Sequence, residues 1–520
     1  MRIINKIREI AQKEISVSKF IILITFFNMA VYHLPFYQYA ISNLNIHSLN
    51  GILTFASILI AIFIITAFIL FLLAVISIRF MKYFTVAMVF CNTIAVYFVL
   101  TYNVILDKTM MGNVLNTNTG EATSYYDPAI FMYIIVFGLI PAFIVSQIKI
   151  KKSKKLSMIV YGFSTIIIGV FLLYLNSKTW LWLDKHAKII GGLSMPWSYI
   201  LNPIRYKMGL LREADKYQLL PPATLDDSKA LVVLVIGESA RKENFSLYGY
   251  DRETNPELRE SNIIVLKNTM ATTTYTTASI NSMFSHTGST SSSYEPLPSY
   301  LYRKGVDVVW RAKNWGAPKI KVGTFEKAGE LEKSCQLENC KYDEVLLTGL
   351  LERVKSSKSD KIFMVLHTIG SHGPTYYKKY PPRFEVFKPA CKTVDLIECT
   401  NQELINAYDN TIYYTDYFIS QTIKKLEQVK DRPVLMIYIS DHGESLGEKN
   451  LYLHGTPYII APNVQKEIPF IIWKSKDFKG EKGYVAQLDK YGHENIFHTI
   501  LGALGVDSSV YNKKLDILKK

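Results

Sequence analysis

Hydrophobic and polar positions divide the chain into an apolar first third and a remainder with the patterning of a water-soluble protein. Five stretches of the first third are long and free of Lys, Arg, Asp and Glu, and each has the roughly 20 residues that a helix needs to cross ~30 Å of hydrocarbon. The first is the weakest, because His33 and Pro35 interrupt it. The predicted spans are residues 20–41, 51–78, 83–105, 128–148 and 156–176. We therefore expect a multi-span α-helical membrane domain of five helices over residues 1–176.

Basic residues around these spans predict the orientation of the membrane domain. Twelve Lys and Arg residues precede the first span or separate spans two from three and four from five, whereas the alternate loops carry only Lys108. Because cytoplasmic loops are enriched in Lys and Arg, the N-terminus is predicted to be cytoplasmic and the chain after residue 176 to lie outside the cytoplasm. The net charge is +15. Since twelve of the basic residues set the topology, we expect no nucleic-acid partner.

Cysteine spacing agrees with this orientation. Four of the five cysteines form the close pairs Cys335/Cys340 and Cys391/Cys399. Neither pair has the C-x-x-C spacing of a zinc ribbon or a thioredoxin-like motif. The pairs therefore predict two local disulfides in an oxidising compartment.

Residues 177–227 follow the last span without resembling either a span or a soluble core. Tryptophans alternate there with lysines and an arginine, as in amphipathic segments at a membrane surface. An ordinary bridging helix is the alternative interpretation. The segment ends in PPATLDD, where two consecutive prolines block a helix and indicate a linker.

From residue 228 to residue 520, short apolar runs alternate with helical patterns. Nearly continuous hydrophobicity is typical of strands whose sheet is covered on both faces. Helical spacing appears in residues 400–429 and near the end of the chain. The predicted strands are 230–237, 306–310, 361–367, 433–440 and 468–473. The alternation predicts an α/β domain with a largely parallel sheet and helices on both faces.

Residues suited to metal binding follow three of these strands. Glu238 follows the first, Asp441 and His442 follow the fourth, and His367 ends the third. Ligands bind at the carboxyl ends of strands in open parallel sheets, so these side chains are expected to share one edge. Each alone is more often part of a polar turn, but carboxylates and imidazoles together suit Zn²⁺.

A nucleophile is sought in the segment MATTTYTTASINSMFS, residues 270–285, which has a helical pattern from Thr277 onward. A hydroxyl at a helix N-terminus lies near backbone N–H groups that favour an incoming phosphate, and a metal can stabilise its alkoxide. The alternative is that these threonines are helix caps and strand formers. The pattern leaves four candidates, namely Thr273, Thr274, Thr276 and Thr277.

These residues lie in motifs that match a family. The matching stretches are VIGESARKENFSLYGYDRETNPEL, TTYTTASINSMFS, HTIGSHGPTYYKKYP, SDHGESLGEKNLYLHGTPY and ENIFHTILGALGV. The chain resembles the membrane-anchored phosphoethanolamine transferases of the lipid A type. Their soluble domain has the alkaline-phosphatase/sulfatase-like fold, and the resemblance implies this fold for residues 228–520.

The resemblance also implies roles for individual residues. It makes Thr276 the nucleophile and His454 the acid that protonates the leaving oxygen. It implies one zinc ion and allows a second. The implied zinc ligands are Glu238, Thr276, Asp441 and His442. The implied substrate-binding residues are His372, His454, Glu444, His367, Asn314 and Lys319.

Two stretches depart from the family pattern. Relatives often carry a disulfide that brackets the nucleophile segment, at positions that hold Thr272 and Ser282 here. This loop is therefore expected to be less constrained. The stretch WRAKNWGAPK matches only loosely, so Asn314 and Lys319 are the weakest of the matched positions.

The activity that the resemblance implies is transfer of phosphoethanolamine from phosphatidylethanolamine, with release of diacylglycerol, to an envelope acceptor, most often lipid A. It further implies a monomer in the bacterial inner membrane, in contact with membrane lipids, with its catalytic domain in the periplasm. One alternative is a phosphoglycerol transferase, sulfatase or phosphatase on the same scaffold. Another is a membrane sensor or transport-associated subunit, which the absence of charged residues from the spans disfavours.

Overall fold

A computed structural model describes residues 14–117, 122–123, 125, 127–175, 177–214, 217–291, 293–394, 396, 398–448, 451–478 and 490–518. The chain forms two compact units. The first comprises Met1–Leu115 and Tyr126–Lys207, and the second comprises Asn116–Tyr125 and Met208–Lys520. The predicted domain boundaries near residues 176 and 227 stay predictions.

The first unit is helical. Its short strands β1 (Ile15–Ser16) and β2 (Ile150–Lys151) pair in parallel. The helices from here to residue 214 are α1 (Val17–Tyr32), α2 (Leu34–Asn43), α3 (Leu49–Ile76), α4 (Ile78–Tyr102), α5 (Lys108–Asn116), α6 (Ala129–Gln147), α7 (Lys155–Leu175), α8 (Ser177–Leu193) and α9 (Trp197–Ala214).

Four helices of the described chain are long and apolar enough to cross a membrane, namely α3, α4, α6 and α7. The first predicted span, residues 20–41, is instead the pair α1 and α2, which meet at a bend of 66°. Pro35 lies in the first turn of α2, and its ring and missing N–H prevent a straight continuation of α1. Counted as one span, this pair is the fifth. Helix α6 contains a π-helical turn, Ile134–Leu139, just before Pro141.

The second unit is built on a seven-stranded sheet. The strands of this unit are β3 (Ala223–Leu225), β4 (Ala230–Gly237), β5 (Ile263–Val265), β6 (Thr269–Met270), β7 (Asp307–Ala312), β8 (Thr324–Lys327), β9 (Lys361–His367), β10 (Val434–Ser440), β11 (Ser445–Leu446), β12 (Tyr452–Leu453), β13 (Phe470–Lys474), β14 (Tyr491–Gly492) and β15 (Val506–Ser508). The order in the sheet is β5–β13–β10–β4–β9–β7–β8. Strands β10, β4, β9, β7 and β8 are parallel, β13 is antiparallel to β10, and the edge strand β5 is antiparallel to β13. The mostly parallel sheet confirms the predicted α/β class.

The central strands are covered on both faces, which explains their continuous hydrophobicity. Every residue of β4, β9 and β10 is buried. The long helix α15 (Asn401–Leu426) begins with a capping box in which Thr400 and Glu403 satisfy each other's backbone N–H groups. The helices of this unit are α10 (Pro256–Arg259), α11 (Thr276–Met283), α12 (Leu297–Arg303), α13 (Ala328–Leu331), α14 (Leu350–Lys355), α15 (Asn401–Leu426) and α16 (Glu494–Ala503).

Two further features of the second unit bear on the predictions. The segment predicted as a linker contains β3, which pairs antiparallel with β15 near the end of the chain. The segment is therefore part of the fold, because its backbone groups are used in a sheet. Both predicted disulfides are present, Cys335–Cys340 and Cys391–Cys399.

Candidate active site

The carboxyl ends of three parallel strands bring the predicted metal-binding residues to one edge of the sheet. The register of β4 and β10 pairs Gly237 with Ser440, so the next residues, Glu238 and Asp441, leave the sheet side by side. Strand β9 lies on the other side of β4 and ends at His367. Parallel strands expose their carboxyl ends at the same edge, which is where ligands bind in such sheets.

Four buried side chains form a cluster at this edge. The Nε2 atom of His442 lies 3.3 Å from Glu238 Oε1, 3.3 Å from Asp441 Oδ2 and 3.4 Å from Thr276 Oγ1. The Thr276 hydroxyl donates a hydrogen bond of 3.1 Å to Glu238 Oε2. All four are at most 3% exposed. One point in space is therefore within reach of two carboxylates, an imidazole and a hydroxyl.

The cluster presents more hydrogen-bond acceptors than donors. The Nδ1 atom of His442 lies 2.8 Å from the carbonyl oxygen of Gly443, so Nδ1 carries the hydrogen and Nε2 presents its lone pair to the two carboxylates. Asp441 Oδ2 has no hydrogen-bond donor among the described residues. Burial, and then the charge of Glu238, raises the pKa of Asp441. Two carboxylates and the imidazole nitrogen of His442 converge here, which fits a metal cation, and His454 is close enough to Glu238 and His442 to join them.

Local contacts distinguish the candidate threonines. The hydroxyl of Thr273 donates to the carbonyl of Tyr275, and that of Thr274 donates to the carbonyl of Thr456. Thr276 is instead the first residue of α11, after an extended Tyr275, and its hydroxyl contacts the acidic cluster. A hydroxyl placed there also lies near the free N–H groups of the first helical turn. Of these three hydroxyls, only that of Thr276 makes a described hydrogen bond to the cluster.

Two further histidines lie beside the cluster. His454 Nδ1 is 3.1 Å from Glu444 Oε2 and 3.4 Å from Ser239 Oγ. The ring centroid of His454 is 4.2 Å from that of His442 and 5.6 Å from that of His372. The side chain of His454 is 13% exposed whereas that of Glu444 is fully buried. His454 thus lies between the buried cluster and solvent, with Glu444 holding one ring nitrogen.

The remaining predicted residues occupy different positions. Asn314 donates a hydrogen bond of 2.6 Å to Glu238 Oε2, so it belongs to the cluster. Lys319 is exposed, and none of the described contacts joins it to the cluster. His367 is fully buried with its ring edge-on to Trp310, and neither ring nitrogen has a hydrogen-bond partner among the described residues. Burial lowers the pKa of His367 to about 4, so its ring is neutral near pH 7.

Tyr408, which the sequence did not identify as a functional residue, supports the turn after β4. Ser239 adopts a left-handed backbone with φ of 55°, and its N–H donates to Asp441 Oδ1. Tyr408, on α15, donates its hydroxyl hydrogen to the Ser239 carbonyl at 2.6 Å and accepts from the N–H of Arg241 at 2.9 Å. A non-glycine residue at positive φ costs free energy, so the surrounding contacts must impose it. No local pattern in the sequence identifies Tyr408.

A second missed residue, His493, connects the predicted nucleophile segment to β10. Its Nδ1 accepts from the N–H of Thr272 at 3.2 Å, and its Nε2 donates to the carbonyl of Ser440 at 3.0 Å. The hydroxyls of Thr272 and Ser282 lie 2.8 Å apart. This hydrogen bond joins the two positions at which the family resemblance would place a disulfide. The segment before α11 is therefore hydrogen-bonded both to Ser282 and to His493, and its looser constraint relative to a disulfide-bracketed loop stays a prediction.

Comparisons with known proteins agree with this geometry. Residues 230–506 match the family model described as sulfatase, and residues 62–209 match the model described as phosphoethanolamine transferase EptA/EptB. Phosphoethanolamine transferase EptA of Helicobacter pylori is 39% identical over 500 residues, which are 94% of each chain. The corresponding protein of Escherichia coli strain K12 is 31% identical and covers 98% of each chain.

A solved structure extends the similarity over both units. It is the integral membrane protein lipooligosaccharide phosphoethanolamine transferase A (EptA) from Neisseria meningitidis. The match has a TM-score of 0.86 and 28% sequence identity, and it covers 97% of this chain and 99% of that chain. The arrangement of apolar helices followed by a sulfatase-like domain is therefore that of a known integral membrane protein.

Proposed function

Because the chain belongs to the phosphoethanolamine transferase family, we propose that it moves phosphoethanolamine from phosphatidylethanolamine to lipid A or another envelope acceptor. The reaction passes through a phosphorylated Thr276, requires zinc and releases diacylglycerol. The observation that carries this proposal is the Thr276 hydroxyl, 3.1 Å from Glu238 and 3.4 Å from His442. A hydroxyl so placed can serve both as a metal ligand and as a nucleophile.

The proposed zinc ligands are Glu238, Thr276, Asp441 and His442. Two carboxylates, an imidazole nitrogen and a hydroxyl form a donor set that suits zinc. Oxygen atoms of the other three residues lie 3.3–3.4 Å from His442 Nε2, which supports this set of ligands. A bound zinc ion would supply Lewis acidity that lowers the pKa of the coordinated hydroxyl and stabilises negative charge on phosphoryl oxygens. His454 lies within reach of the same atoms, which supports a capacity for a second ion.

The first half of the reaction begins with attack of Thr276 Oγ1 on the phosphorus of the lipid headgroup. The hydroxyl hydrogen passes to Glu238 Oε2, which already accepts it in a hydrogen bond. The bond from phosphorus to the diacylglycerol oxygen breaks, and His454 gives a proton to that oxygen. Glu444 accepts from Nδ1 of His454 and so orients the ring with Nε2 toward the leaving group.

The second half transfers the phosphoethanolamine group from Thr276 to the acceptor. The acceptor O–H gives its proton to His454, which lost one in the first half, and its oxygen bonds to phosphorus as the bond to Thr276 Oγ1 breaks. Thr276 Oγ1 regains its proton from Glu238, so both residues return to their starting state. His372, beside His454, is proposed to contact the phosphoryl oxygens. Asn314 holds Glu238 Oε2 in position. The substrate roles of Lys319 and His367 stay predictions.

The proposed location is the bacterial inner membrane, with the N-terminus in the cytoplasm and the second unit in the periplasm. The distribution of Lys and Arg between the spans supports this orientation. The two disulfides of the second unit also support it, because disulfides persist in oxidising compartments. The protein is proposed to act as a monomer on lipid substrates.

The decisive experiment incubates the purified full-length protein in detergent with fluorescent phosphatidylethanolamine. We expect release of diacylglycerol, and phosphoethanolamine on Thr276 in a tryptic digest examined by mass spectrometry. The variant Thr276→Ala should release none, whereas Thr277→Ala, which removes the neighbouring hydroxyl, should stay active. Metal analysis should find zinc in the wild type and less in Glu238→Gln.

Two outcomes would contradict the proposal. Release of diacylglycerol from phosphatidylglycerol but not from phosphatidylethanolamine would favour a phosphoglycerol transferase. Full activity of Thr276→Ala would remove the covalent intermediate. The acceptor is tested separately by the mass of lipid A from cells with and without the protein, where no added phosphoethanolamine would redirect the search to other envelope components.

A further inference from the structure

An exposed aliphatic turn lies close in the chain to His454. Ile459 is 94% exposed and Ile460 is 49% exposed. Ile459 is the most exposed large apolar side chain of the described residues, and it exceeds even those on the outer faces of the apolar helices. An isoleucine left in water forgoes the free energy that its burial would contribute. A neighbouring pair of such residues is therefore a candidate contact surface.

The turn is fixed to the rest of the second unit. Prolines precede and follow the two isoleucines, and the N–H groups of Ile460 and Ala461 both donate to the carbonyl of Pro457 at 3.0 Å. The Tyr458 hydroxyl donates to the carbonyl of Ala271 at 3.0 Å. These bonds hold the isoleucines outward, so their exposure is a property of the folded turn.

The same stretch is bonded to the segment that carries the nucleophile. The N–H of Gly455 donates to the carbonyl of Thr274 at 2.8 Å, and the Thr274 hydroxyl donates to the carbonyl of Thr456 at 2.6 Å. Thr274 lies two residues before Thr276. The stretch that leads to Ile459 is therefore joined by hydrogen bonds to the segment that carries Thr276.

The chemistry beside the isoleucines favours a lipid bilayer over a protein partner. Lys466 Nζ lies 5.0 Å from the ring centroid of Tyr458. Tyrosine and lysine next to aliphatic residues are typical of the boundary between hydrocarbon and headgroups. Two projecting side chains cover far less than the roughly 800 Å² per partner of a stable protein interface. The chain also carries its own membrane-spanning helices, so a bilayer is always near.

We propose that the turn formed by Ile459 and Ile460 inserts into the acyl region of a phospholipid bilayer, with Tyr458 and Lys466 at the headgroup level. The insertion keeps the entrance of the site at the layer where lipid headgroups lie. The catalytic consequence rests on the proposed function, whereas the insertion itself does not. The two are therefore tested by separate measurements.

The insertion is tested by spin labelling the full-length protein in phosphatidylethanolamine/phosphatidylglycerol proteoliposomes. A Cys91→Ser background removes the free cysteine, since the other four form disulfides. A nitroxide on Ile459→Cys should collide more with oxygen than with an aqueous nickel chelate. The matched control is Val386→Cys, at an apolar residue of the same unit that is 50% exposed, and it should show the reverse.

Equal nickel accessibility at both positions would overturn the proposal. Protection of the Ile459 label from both quenchers would also overturn it, because that pattern indicates a protein contact such as a second copy of the chain.

The catalytic consequence is tested with two donors. The double variant Ile459→Ser, Ile460→Ser should transfer from long-chain phosphatidylethanolamine in bilayers about tenfold more slowly than the wild type, because two insertions are lost. With monomeric dihexanoyl phosphatidylethanolamine in detergent, the variant and the wild type should agree within about twofold. The conservative variant Ile459→Leu, Ile460→Leu should resemble the wild type with both donors.

Equal losses with both donors would refute the role of the turn in lipid access. If the wild type uses neither donor, the proposed function fails, while the spin-label measurement still decides whether the turn inserts. The two failures are therefore distinguishable.

Discussion

The connection that His493 makes between the nucleophile segment and β10 leads to a quantitative prediction. His493 is fully buried, and its two ring nitrogens bond the N–H of Thr272 and the carbonyl of Ser440. The variant His493→Phe fills a similar space and removes both bonds. The variant His493→Gln keeps an acceptor and a donor on one side chain and is the matched control.

The expected cost follows from the two backbone groups that lose their partner. Leaving a buried polar group unpaired costs about 1–3 kcal/mol. Ser440 is fully buried and Thr272 is half-buried, so the unpaired N–H of Thr272 contributes a cost at the low end of this range. We expect His493→Phe to lower the free energy of unfolding by about 2–4 kcal/mol.

Activity should fall for the same reason. Ser440 directly precedes Asp441, and Thr272 lies four residues before Thr276, so both groups shift when the connection is lost. A displacement of about 1 Å can cost about 100-fold in rate. We expect kcat to fall by that order in His493→Phe with KM little changed, because the residue acts on position rather than on substrate.

A pH dependence gives an independent check. Burial lowers the pKa of His493 to about 4, from an unfolded value near 6.5. Between these values the unfolded chain binds more protons, so the stability from the neutral ring is fully present above pH 6.5 and is lost as the pH falls toward 4. The difference amounts to about 3 kcal/mol. The stability difference between wild type and His493→Phe should shrink over this range.

The assay is urea unfolding of the full-length protein in detergent, at pH 7.5 and at pH 5, with transfer kinetics on the same preparations. Unchanged stability and kcat in His493→Phe would refute the positioning role. A loss in His493→Gln as large as that in His493→Phe would show that the two hydrogen bonds are not the cause.

Two further predictions concern contacts that surround the acidic cluster. Asn314→Ala removes a hydrogen bond to the Glu238 carboxylate, worth about 1.5–3 kcal/mol, so kcat/KM should fall by about 10- to 100-fold, and unchanged kinetics would contradict the role of Asn314. Tyr408→Phe leaves the Ser239 carbonyl without its donor, so zinc affinity and stability should both fall. Adding Ser239→Gly should recover part of the stability, because glycine adopts φ of 55° without steric cost; no recovery would show that the backbone of Ser239 is not under strain.

Four of the parallel strands, β4, β7, β9 and β10, were predictable from local pattern, whereas β8 was not predicted. The runs at 230–237 and 361–367 coincide with β4 and β9, because strands buried on both faces are apolar at every position. The shared edge of Glu238 and Asp441 follows from parallel pairing. The antiparallel direction of β13 and the use of residues 223–225 in β3 were not predictable, since strand direction and pairing depend on distant partners.

The apolar helices were also predictable from the sequence only in part. Length and composition predicted α3, α4, α6 and α7, because a membrane demands about 20 consecutive apolar residues. His33 and Pro35 predicted an interruption of the first stretch, but the size of the bend there, 66°, depends on packing. A local backbone constraint is readable in the chain, whereas the angle that it produces is not.

The amino-acid sequence by itself determined which chemistry this protein carries: apolar spans, a parallel sheet, and acids, histidines and threonines beside its strand ends. Only the tertiary structure decided that the Thr276 hydroxyl faces His442, 166 positions away, and that Asn314 binds Glu238. The same holds for His493, whose bond to Thr272 joins residues 221 positions apart. The physical reason is that local pattern reports burial and backbone preference, whereas hydrogen bonds between distant side chains exist only after the sheet brings its ends together.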